Sequence, residues 1–372
     1  MKNILILSCK AGEGHNAAAH AMQERFEHEG HRARVVDYFG LLSEKMSESI
    51  NSSYVNVAKY IPPLFGAGYH LTVLLSPLFR YLHSPIYAVC AKVAPKLREL
   101  LESEHFDAVV APHVFPILGL TYLKSHGYDV PFTIYVSTDY TCYPFLEEAH
   151  HCDIYVMASE KLKSAFLRRH LPEEKLRAYG IPVSMRFLDI PLRAFARKQL
   201  GIEVDKNTYL IMGGSMGAGH MRTFAKKLYQ NTENAEIIVI CGKNEPLQKT
   251  LEADFGSTPN VRIVGFTTQI PLYMAACDVL YTKPGGLTST EALVTRTPIV
   301  HTAPIPGCES ANYRFFRNNG LSLPAKRVGQ QIINGKRLAE DPKRREAMRK
   351  AQSACAKPDA SLNILKLILE NT

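Results

Sequence analysis

Two apolar stretches, each followed by a glycine-rich loop, lie about half a chain length apart. Residues 3–8 read N-I-L-I-L-S and lead into A-G-E-G-H, while residues 208–212 read T-Y-L-I-M and lead into G-G-S-M-G. A short continuous apolar run is typical of a strand buried in a parallel sheet, and a glycine loop after it is typical of a turn into a phosphate-binding helix. The duplication therefore predicts two Rossmann-like α/β domains whose ligand-binding edges face each other.

Length and cysteine content agree with a two-domain intracellular protein. The chain has 372 residues and 46% apolar content, which is enough to form two cores. Its eight cysteines are scattered without a C-x-x-C pair, as expected of a reduced, cytosolic protein. The apolar run at the start is too short for the core of a signal peptide, so we interpret it as the first strand.

The net charge narrows the choice of partners. The formal charge is +9, from 44 Lys and Arg against 35 Asp and Glu. Such a balance suits nucleic acid or the anionic face of a membrane. Because no motif of a nucleic-acid-binding module is present, we expect no nucleic-acid partner and favour a phosphate-bearing substrate, an anionic membrane surface, or both.

The first glycine loop presents a candidate base. Gly12 and Gly14 permit a tight turn after the first strand, and His15 follows them at the start of an alanine-rich helix. This position lies where doubly wound sheets bind ligands, and the helix N-terminus would keep the imidazole neutral and able to accept a proton. A histidine that merely caps the helix is the alternative.

Residues 281–312 predict a nucleotide site. A short strand runs into a proline-glycine break, and a helix opens at Gly286 and Leu287. Unpaired N–H groups at such a helix start bind a diphosphate, with Lys283 adding a charge and Glu291 able to accept hydrogen bonds from two ribose hydroxyls. Any one of these residues could belong to an ordinary β-loop-α connection. The candidate donor-binding residues here are Lys283, Gly285, Gly286, Leu287, Thr288 and Glu291.

Residues 60–79 contain no Asp, Glu, Lys or Arg and are rich in apolar and aromatic side chains. Three prolines and two glycines in this run are expected to break a membrane-spanning helix, so we reject a span. The mixture suits a surface that dips into the lipid interface and admits an acyl chain, with Phe65 and Tyr69 as candidate acceptor contacts. The alternative is a layer packed over the sheet.

These runs together resemble the GT-B glycosyltransferases of the family that contains monogalactosyldiacylglycerol synthases and processive diacylglycerol glucosyltransferases (glycosyltransferase family 28). The lipid-linked N-acetylglucosaminyltransferase of peptidoglycan synthesis is a more distant match. The resemblance is specific at residues 12–19, 213–217 and 283–312. It implies an acceptor-binding N-domain at 1–190 with a membrane-facing insertion at about 41–90, a UDP-sugar domain at 191–355, and a last helix at 356–372 that braces the N-domain.

The same resemblance assigns roles to further residues. His15 would be the base, and Asp139 would orient its ring or stabilise the imidazolium. His113 and Tyr143 would contact the acceptor, although family members usually have histidine in place of Tyr143. Cys308 stands where glutamine is usual and could alter which hexose is read. The remaining donor contacts implied are Gly14, Gly214, Ser215, Met216, Gly265, Phe266, Thr267, Glu309 and Asn312.

The implied reaction is an inverting transfer of hexose from UDP-glucose or UDP-galactose to diacylglycerol, by a cytoplasmic enzyme peripheral to the inner face of the cell membrane. No D-x-D carboxylate pair occurs in the sequence, so no metal or other cofactor is expected. Three alternatives remain open: a lipid-linked N-acetylglucosaminyltransferase, a UDP-sugar epimerase, and a catalytically inactive nucleotide-sugar-binding regulator at the membrane.

Overall fold

The computed structural model describes residues 1–9, 13–45, 47–48, 61–213 and 221–372. They divide into two compact units. The first unit comprises Met1–Met185, Ile305–Cys308 and Lys357–Thr372. The second comprises Arg186–Pro304 and Glu309–Ala356.

The first unit alternates strands and helices. Its strands are β1 (Asn3–Ser8), β2 (Arg32–Asp37), β3 (Ala108–Ala111), β4 (Phe132–Val136), β5 (Ile154–Val156) and β6 (Leu176–Arg177). Its α-helices are α1 (Glu13–His28), α2 (Pro62–Leu75), α3 (Pro85–Ser103), α4 (Val114–Ser125), α5 (Lys163–Leu167) and, at the end of the chain, α14 (Ala360–Asn371). Short 3-10 helices occur at Phe39–Leu41, Ser76–Arg80, Leu146–Glu148, Glu160–Leu162 and Glu173–Lys175.

Among the described residues, the first sheet has six parallel strands in the order β2-β1-β3-β4-β5-β6. The chain leaves β1 toward β2 on one side and returns to β3 on the other. The strand order therefore switches direction between β1 and β3. In open α/β sheets a crevice for ligands forms at this switch point, outside the carboxyl ends of the strands.

The second unit repeats this plan. Its strands are β7 (Thr208–Met212), β8 (Glu236–Ile240), β9 (Val261–Val264), β10 (Val279–Thr282), β11 (Ile299–His301) and β12 (Leu323–Pro324). Its helices are α6 (Arg193–Leu200), α7 (Met221–Asn231), α8 (Glu245–Phe255), α9 (Ile270–Ala276), α10 (Gly286–Val294), α11 (Cys308–Asn318), α12 (Val328–Glu340) and α13 (Pro342–Cys355). A 3-10 helix spans Met185–Phe187, where the first unit ends and the second begins. Cys308, the first residue of α11, belongs to the first unit.

In the described part of this unit, six parallel strands run in the order β12-β11-β10-β7-β8-β9. Here the switch point lies between β7 and β10. The loops that follow these two strands are the second glycine loop and the proline-glycine break at residues 283–286.

Each sheet packs its apolar side chains into its own core. In the first unit α14 adds Ile364, Leu365, Leu367 and Ile368 to a cluster that includes Ile4 and Val110. In the second unit β7, β8 and β10 pack against α7, α8 and α12. Burying one such aliphatic side chain stabilises a fold by roughly 1.5–3 kcal/mol.

Pro62, Pro63, Gly66 and Gly68 lie within α2 and do not break it as we expected, whereas Pro77 follows the end of α2 at Leu75. Pro62 and Pro63 occupy the first turn of α2, where a missing N–H does no harm, and Gly66 lies inside the helix. A Cβ on Gly66 would come within 2.6 Å of Pro306, so this glycine permits a close approach. Within the described ranges, none of the helices has both the length and the apolar character needed to cross a bilayer.

Candidate functional site

Two histidines follow the strands at the switch point of the first sheet. His15 is the third residue of α1, which follows β1, and His113 is the N-cap of α4, which follows β3. Their ring centroids lie 4.4 Å apart, edge to face. The structure therefore brings together two residues that the sequence separates by almost a hundred positions.

The hydrogen bonds of His15 define its tautomer. Nδ1 lies 2.9 Å from the carbonyl oxygen of Pro112 and 2.8 Å from Oγ1 of Thr138. Because a carbonyl oxygen can only accept, Nδ1 carries the hydrogen and Nε2 keeps a lone pair. Burial lowers the pKa of His15 to about 4, so the ring is neutral at pH 7. We expected the helix N-terminus to have this effect, but burial is the main cause.

His113 has the opposite tautomer. Its Nδ1 accepts a hydrogen bond of 3.2 Å from the N–H of Phe115, so its hydrogen is on Nε2. Burial holds the pKa of His113 well below its usual range. The ring of Tyr143 lies 5.7 Å from that of His113. Nε2 of His15 can therefore accept a proton, whereas Nε2 of His113 carries a hydrogen and can donate it.

Asp139 and Tyr143 line the same small cavity as the two histidines. Its volume of about 10 Å³ is roughly that needed for one water molecule, so it suits a single polar group and not a whole ligand. Pro112 and Thr138 are partners of the His15 ring among the described residues, and Asp139 lines the same cavity. An orienting role for Asp139 stays a prediction.

The two acceptor contacts predicted in the apolar run both lie on α2. Tyr69 is half-buried, with its hydroxyl 3.5 Å from Sγ of Cys308. Burial raises the pKa of Tyr69, and the charge of Asp139 adds to the effect. Phe65 belongs to the described backbone of α2, but its side chain lies outside the described part of the chain.

The loop between β10 and α10 has the predicted form of a phosphate seat. Gly285 is the N-cap of α10, and its N–H donates to the carbonyl of Lys283 at 2.8 Å. Glycine offers no capping side chain, and no other side chain of the described residues caps this turn, so the N–H groups at Gly286, Leu287 and Thr288 suit an anion. A Cβ built on Gly285 would meet no atom of the described residues within 4 Å.

The first turn of α11 is tied to this loop by two contacts. Nζ of Lys283 lies 2.7 Å from Oε1 of Glu309. The buried side chain of Asn312 donates to the carbonyl of Pro284 at 2.9 Å. The hexose contacts that we expected of Glu309 and Asn312 stay predictions. We did not foresee that both side chains contact the loop between β10 and α10.

Glu291 lies in the second turn of α10 and is half-buried. Burial raises its pKa to about 7, and the charge of Arg186 acts weakly in the opposite direction. A carboxylate at this position can accept hydrogen bonds from two adjacent hydroxyls only when it is ionised. Its ionisation therefore falls within the physiological range of pH.

The turn after β9 contains the predicted base-binding residues. Gly265 packs so closely against Gln248 that a Cβ would lie 2.4 Å from the amide oxygen. Phe266 is exposed, and Oγ1 of Thr267 accepts the N–H of Gln269 at 3.0 Å. Gly14 lies in the first turn of α1. The predicted donor contacts Gly214, Ser215 and Met216 lie outside the described residues.

Sequence reasoning missed His301, which is fully buried at the end of β11. Its Nε2 lies 3.1 Å from Oγ of Ser289 on α10, and its Nδ1 lies 3.0 Å from Oγ of Ser322. Its ring also packs edge to face on Phe316 of α11. His301 thus contacts both α10 and α11, the two helices whose N-terminal ends meet at the loop after β10. A histidine that ends a buried strand is the only signal that could have indicated it.

Comparison with known proteins identifies the family. The family description Monogalactosyldiacylglycerol (MGDG) synthase matches residues 15–183, and Glycosyl transferases group 1 matches residues 193–354. A probable monogalactosyldiacylglycerol synthase 2, chloroplastic, of Oryza sativa subsp. japonica is 31% identical over 343 residues, covering 87% of this chain and 71% of that protein. This chain belongs to the monogalactosyldiacylglycerol synthase family.

Other relatives agree with this assignment. A processive diacylglycerol beta-glucosyltransferase of Staphylococcus saprophyticus is 26% identical over 380 residues, covering 99% of this chain and 92% of that protein. The crystal structure of MurG from Acinetobacter baumannii matches with a TM-score of 0.65 and 15% identity, covering all of both chains. The fold of this member of the monogalactosyldiacylglycerol synthase family is therefore GT-B.

Proposed function

We propose that this chain transfers a hexose from UDP-glucose or UDP-galactose to diacylglycerol, with inversion at the anomeric carbon. The observation that carries the proposal is the geometry of His15. It is a neutral imidazole with its hydrogen directed to Pro112 and its Nε2 lone pair available, in a cavity at the switch point of the first sheet. Family membership supplies the substrate class.

In the proposed reaction the diacylglycerol hydroxyl attacks the anomeric carbon and gives its proton to Nε2 of His15. The bond from that carbon to UDP breaks, and its electron pair leaves on the diphosphate. Lys283 and the first-turn N–H groups of α10 would stabilise this developing charge. Since this work is done by groups of the chain itself and no D-x-D pair occurs, transfer without a divalent metal is part of the proposal.

The acceptor dissolves in membranes, and we propose that the enzyme meets it at an anionic lipid surface. Several apolar side chains of α2 and the 3-10 helix after it point to solvent, including Leu71, Leu74 and Leu78, and Tyr81 and Leu82 follow them. A contiguous exposed apolar patch of this kind marks an interaction surface. The net charge of +9 is attracted to an anionic lipid surface, so we propose such a surface as the partner of this patch.

The test is transfer of radiolabel from UDP-glucose and, separately, UDP-galactose to vesicles that contain diacylglycerol. His15→Ala should lower the rate by about 10²–10⁴, the usual contribution of a general base. His20→Ala is the matched control, because His20 is exposed on the same helix. Undiminished transfer by His15→Ala would refute the base assignment. No transfer from either donor by the unmodified chain would refute the function.

The same assay separates the alternatives. An epimerase would convert the UDP-sugar without any lipid acceptor. A lipid-linked N-acetylglucosaminyltransferase would require UDP-N-acetylglucosamine. An inactive regulator would bind UDP in calorimetry and turn over none of these donors. Comparing the ratio of glucose to galactose transfer between the unmodified chain and Cys308→Gln would show how Cys308 affects the choice of hexose.

A further inference from the structure

Two segments of the first unit are joined by two contacts, and a third contact lies just beyond one of them. We call residues 66–82 the docking segment, because it carries the exposed apolar side chains, with Leu74 75% and Tyr81 81% exposed. We call residues 143–148 the linking segment. It begins at Tyr143, which lines the cavity of His15, and ends in the 3-10 helix Leu146–Glu148.

The first contact joins the end of α2 to the linking segment. A single nitrogen of Arg169, Nη1, donates both to Oγ of Ser76 and to the carboxylate of Glu147. The side chains of Glu147 and Arg169 are 2% and 14% exposed, so this bridge is screened little by solvent. Ser76 also donates to the carbonyl of Val73, 2.9 Å away.

The second contact is a stack of two phenyl rings. Phe79 of the docking segment and Phe145 of the linking segment have ring centroids 5.6 Å apart and planes 19° apart. Phe145 has a φ of +76°, a left-handed conformation that is costly for a bulky residue. Such a conformation persists only where the surrounding structure enforces it, and it is concentrated near functional sites.

The third contact lies just beyond the docking segment. Oε2 of Glu148 accepts the N–H of Ser84 at 2.8 Å, and Ser84 caps α3. Oε1 of Glu148 and Oε2 of Glu147 are buried without a hydrogen-bond partner among the described residues. Burying such oxygens costs free energy, so stability alone does not explain two adjacent buried carboxylates here.

We propose that the linking segment holds the docking segment in register with the His15 cavity, so that an acceptor taken from a lipid surface reaches the base. Ser76, Phe145 and Glu147 are then positioning residues that act through the placement of the docking segment and not through the shape of the cavity. The inference rests on the proposed function, since it concerns the delivery of the lipid acceptor. It predicts that these contacts matter for an acceptor in a membrane and not for one in solution.

The test compares two forms of the acceptor. One is dioleoylglycerol in phosphatidylglycerol vesicles, and the other is dihexanoylglycerol dissolved as monomers. Ser76→Ala removes the hydroxyl that accepts from Arg169 and leaves the bond from Arg169 to Glu147 in place. Phe145→Gly removes the ring stack and relieves the strain of the left-handed backbone. Thr72→Ala is the matched control, because among the described residues Oγ1 of Thr72 donates to the carbonyl of Gly68 in the same helix, at 2.9 Å, and to no atom of the linking segment.

Both test variants should lose at least about threefold in kcat/KM for the vesicle acceptor, the size expected for one lost hydrogen bond. Their kcat/KM for the monomeric acceptor and their co-sedimentation with vesicles should equal those of the unmodified chain and of Thr72→Ala. An equal loss with both acceptors would overturn the proposal in favour of a purely structural role. Loss of vesicle binding would assign these residues to docking itself. Unchanged use of both acceptors would refute coupling.

These outcomes differ from a failure of the proposed function. If the unmodified chain transfers hexose to neither acceptor, the function is wrong and the inference falls with it. If it transfers to both and the variants behave like the control, only the inference is wrong.

Discussion

Nζ of Lys283 and Oε1 of Glu309 lie 2.7 Å apart, across 26 residues of chain. The cation expected to stabilise the diphosphate is therefore paired with the carboxylate expected to contact the hexose. On the proposed function, a bound UDP-hexose would share Lys283 with Glu309, and the two halves of the donor would affect each other through this pair.

Glu309→Gln should bind UDP more tightly and use UDP-hexose less well. Without the competing carboxylate Lys283 keeps its full charge for the diphosphate, and we expect about two- to fivefold tighter UDP binding, the range of a partly exposed ion pair. Calorimetry with UDP and initial rates with UDP-hexose provide the measurements. Glu233→Gln, at an exposed position of the same unit, is the control. Weaker binding of UDP by Glu309→Gln would show that the carboxylate assists the cation.

Thr138→Val should lower kcat by about two- to tenfold, because it removes one hydrogen-bond partner of His15 Nδ1 while leaving the Pro112 carbonyl in place. Thr138→Ser keeps the hydroxyl and should retain most of the rate. The comparison of the two variants in the hexose-transfer assay isolates the hydroxyl. If both variants lose the rate equally, the packing of this side chain, and not the hydrogen bond by itself, is what matters.

The affinity for UDP-glucose should rise by about tenfold between pH 6 and pH 8. Burial raises the pKa of Glu291 to about 7, so the group is mostly protonated at pH 6 and mostly ionised at pH 8. The ionised form accepts both ribose hydroxyls, whereas the acid accepts fewer. UDP-glucose suits the measurement, because its diphosphate does not titrate in this range. Glu291→Gln should bind weakly at all three of pH 6, 7 and 8, and a retained pH dependence would assign the effect to another group.

The unfolding free energy of the second unit should fall by about 2 kcal/mol between pH 7 and pH 5 on account of His301. Burial lowers the pKa of His301 to about 3, whereas the unfolded chain has the ordinary value of 6.5. The unfolded state therefore binds a proton in this window and the folded state does not, so the contribution is complete above pH 6.5 and is lost as pH falls toward 3.

Denaturant unfolding of His301→Gln at several pH values measures this contribution. The variant should be less stable at pH 7 and show a flatter pH profile than the unmodified chain. His105→Gln, which changes an exposed histidine, should keep the original slope. Parallel profiles for His301→Gln and the unmodified chain would contradict the assignment.

The sequence was sufficient to predict the fold because buried parallel strands are continuous apolar runs that end in loops. The positions of His15, His113 and Lys283 at strand ends follow from that rule, since the carboxyl ends of parallel strands share one edge of a sheet. The role of Pro62 and Pro63 did not follow. A proline breaks a helix interior but suits its first turn, and the sequence does not show where the helix begins.

Side-chain partners were harder to predict than positions. Thr138 and Asp139 are neighbours in the chain, and the sequence does not show that the hydroxyl of Thr138 contacts His15. A carboxylate is the usual partner of a catalytic imidazole, which favoured Asp139. The backbone carbonyl of Pro112 has no signature in the sequence at all.

All eight cysteines are free thiols, and seven are buried while Cys308 is half-buried. Thiol reagents require both access and the thiolate, so a maleimide dye added to the native chain at neutral pH should label Cys308 ahead of the others. Such a dye would sit one residue before Glu309, and its emission would report donor binding optically without any engineered attachment point.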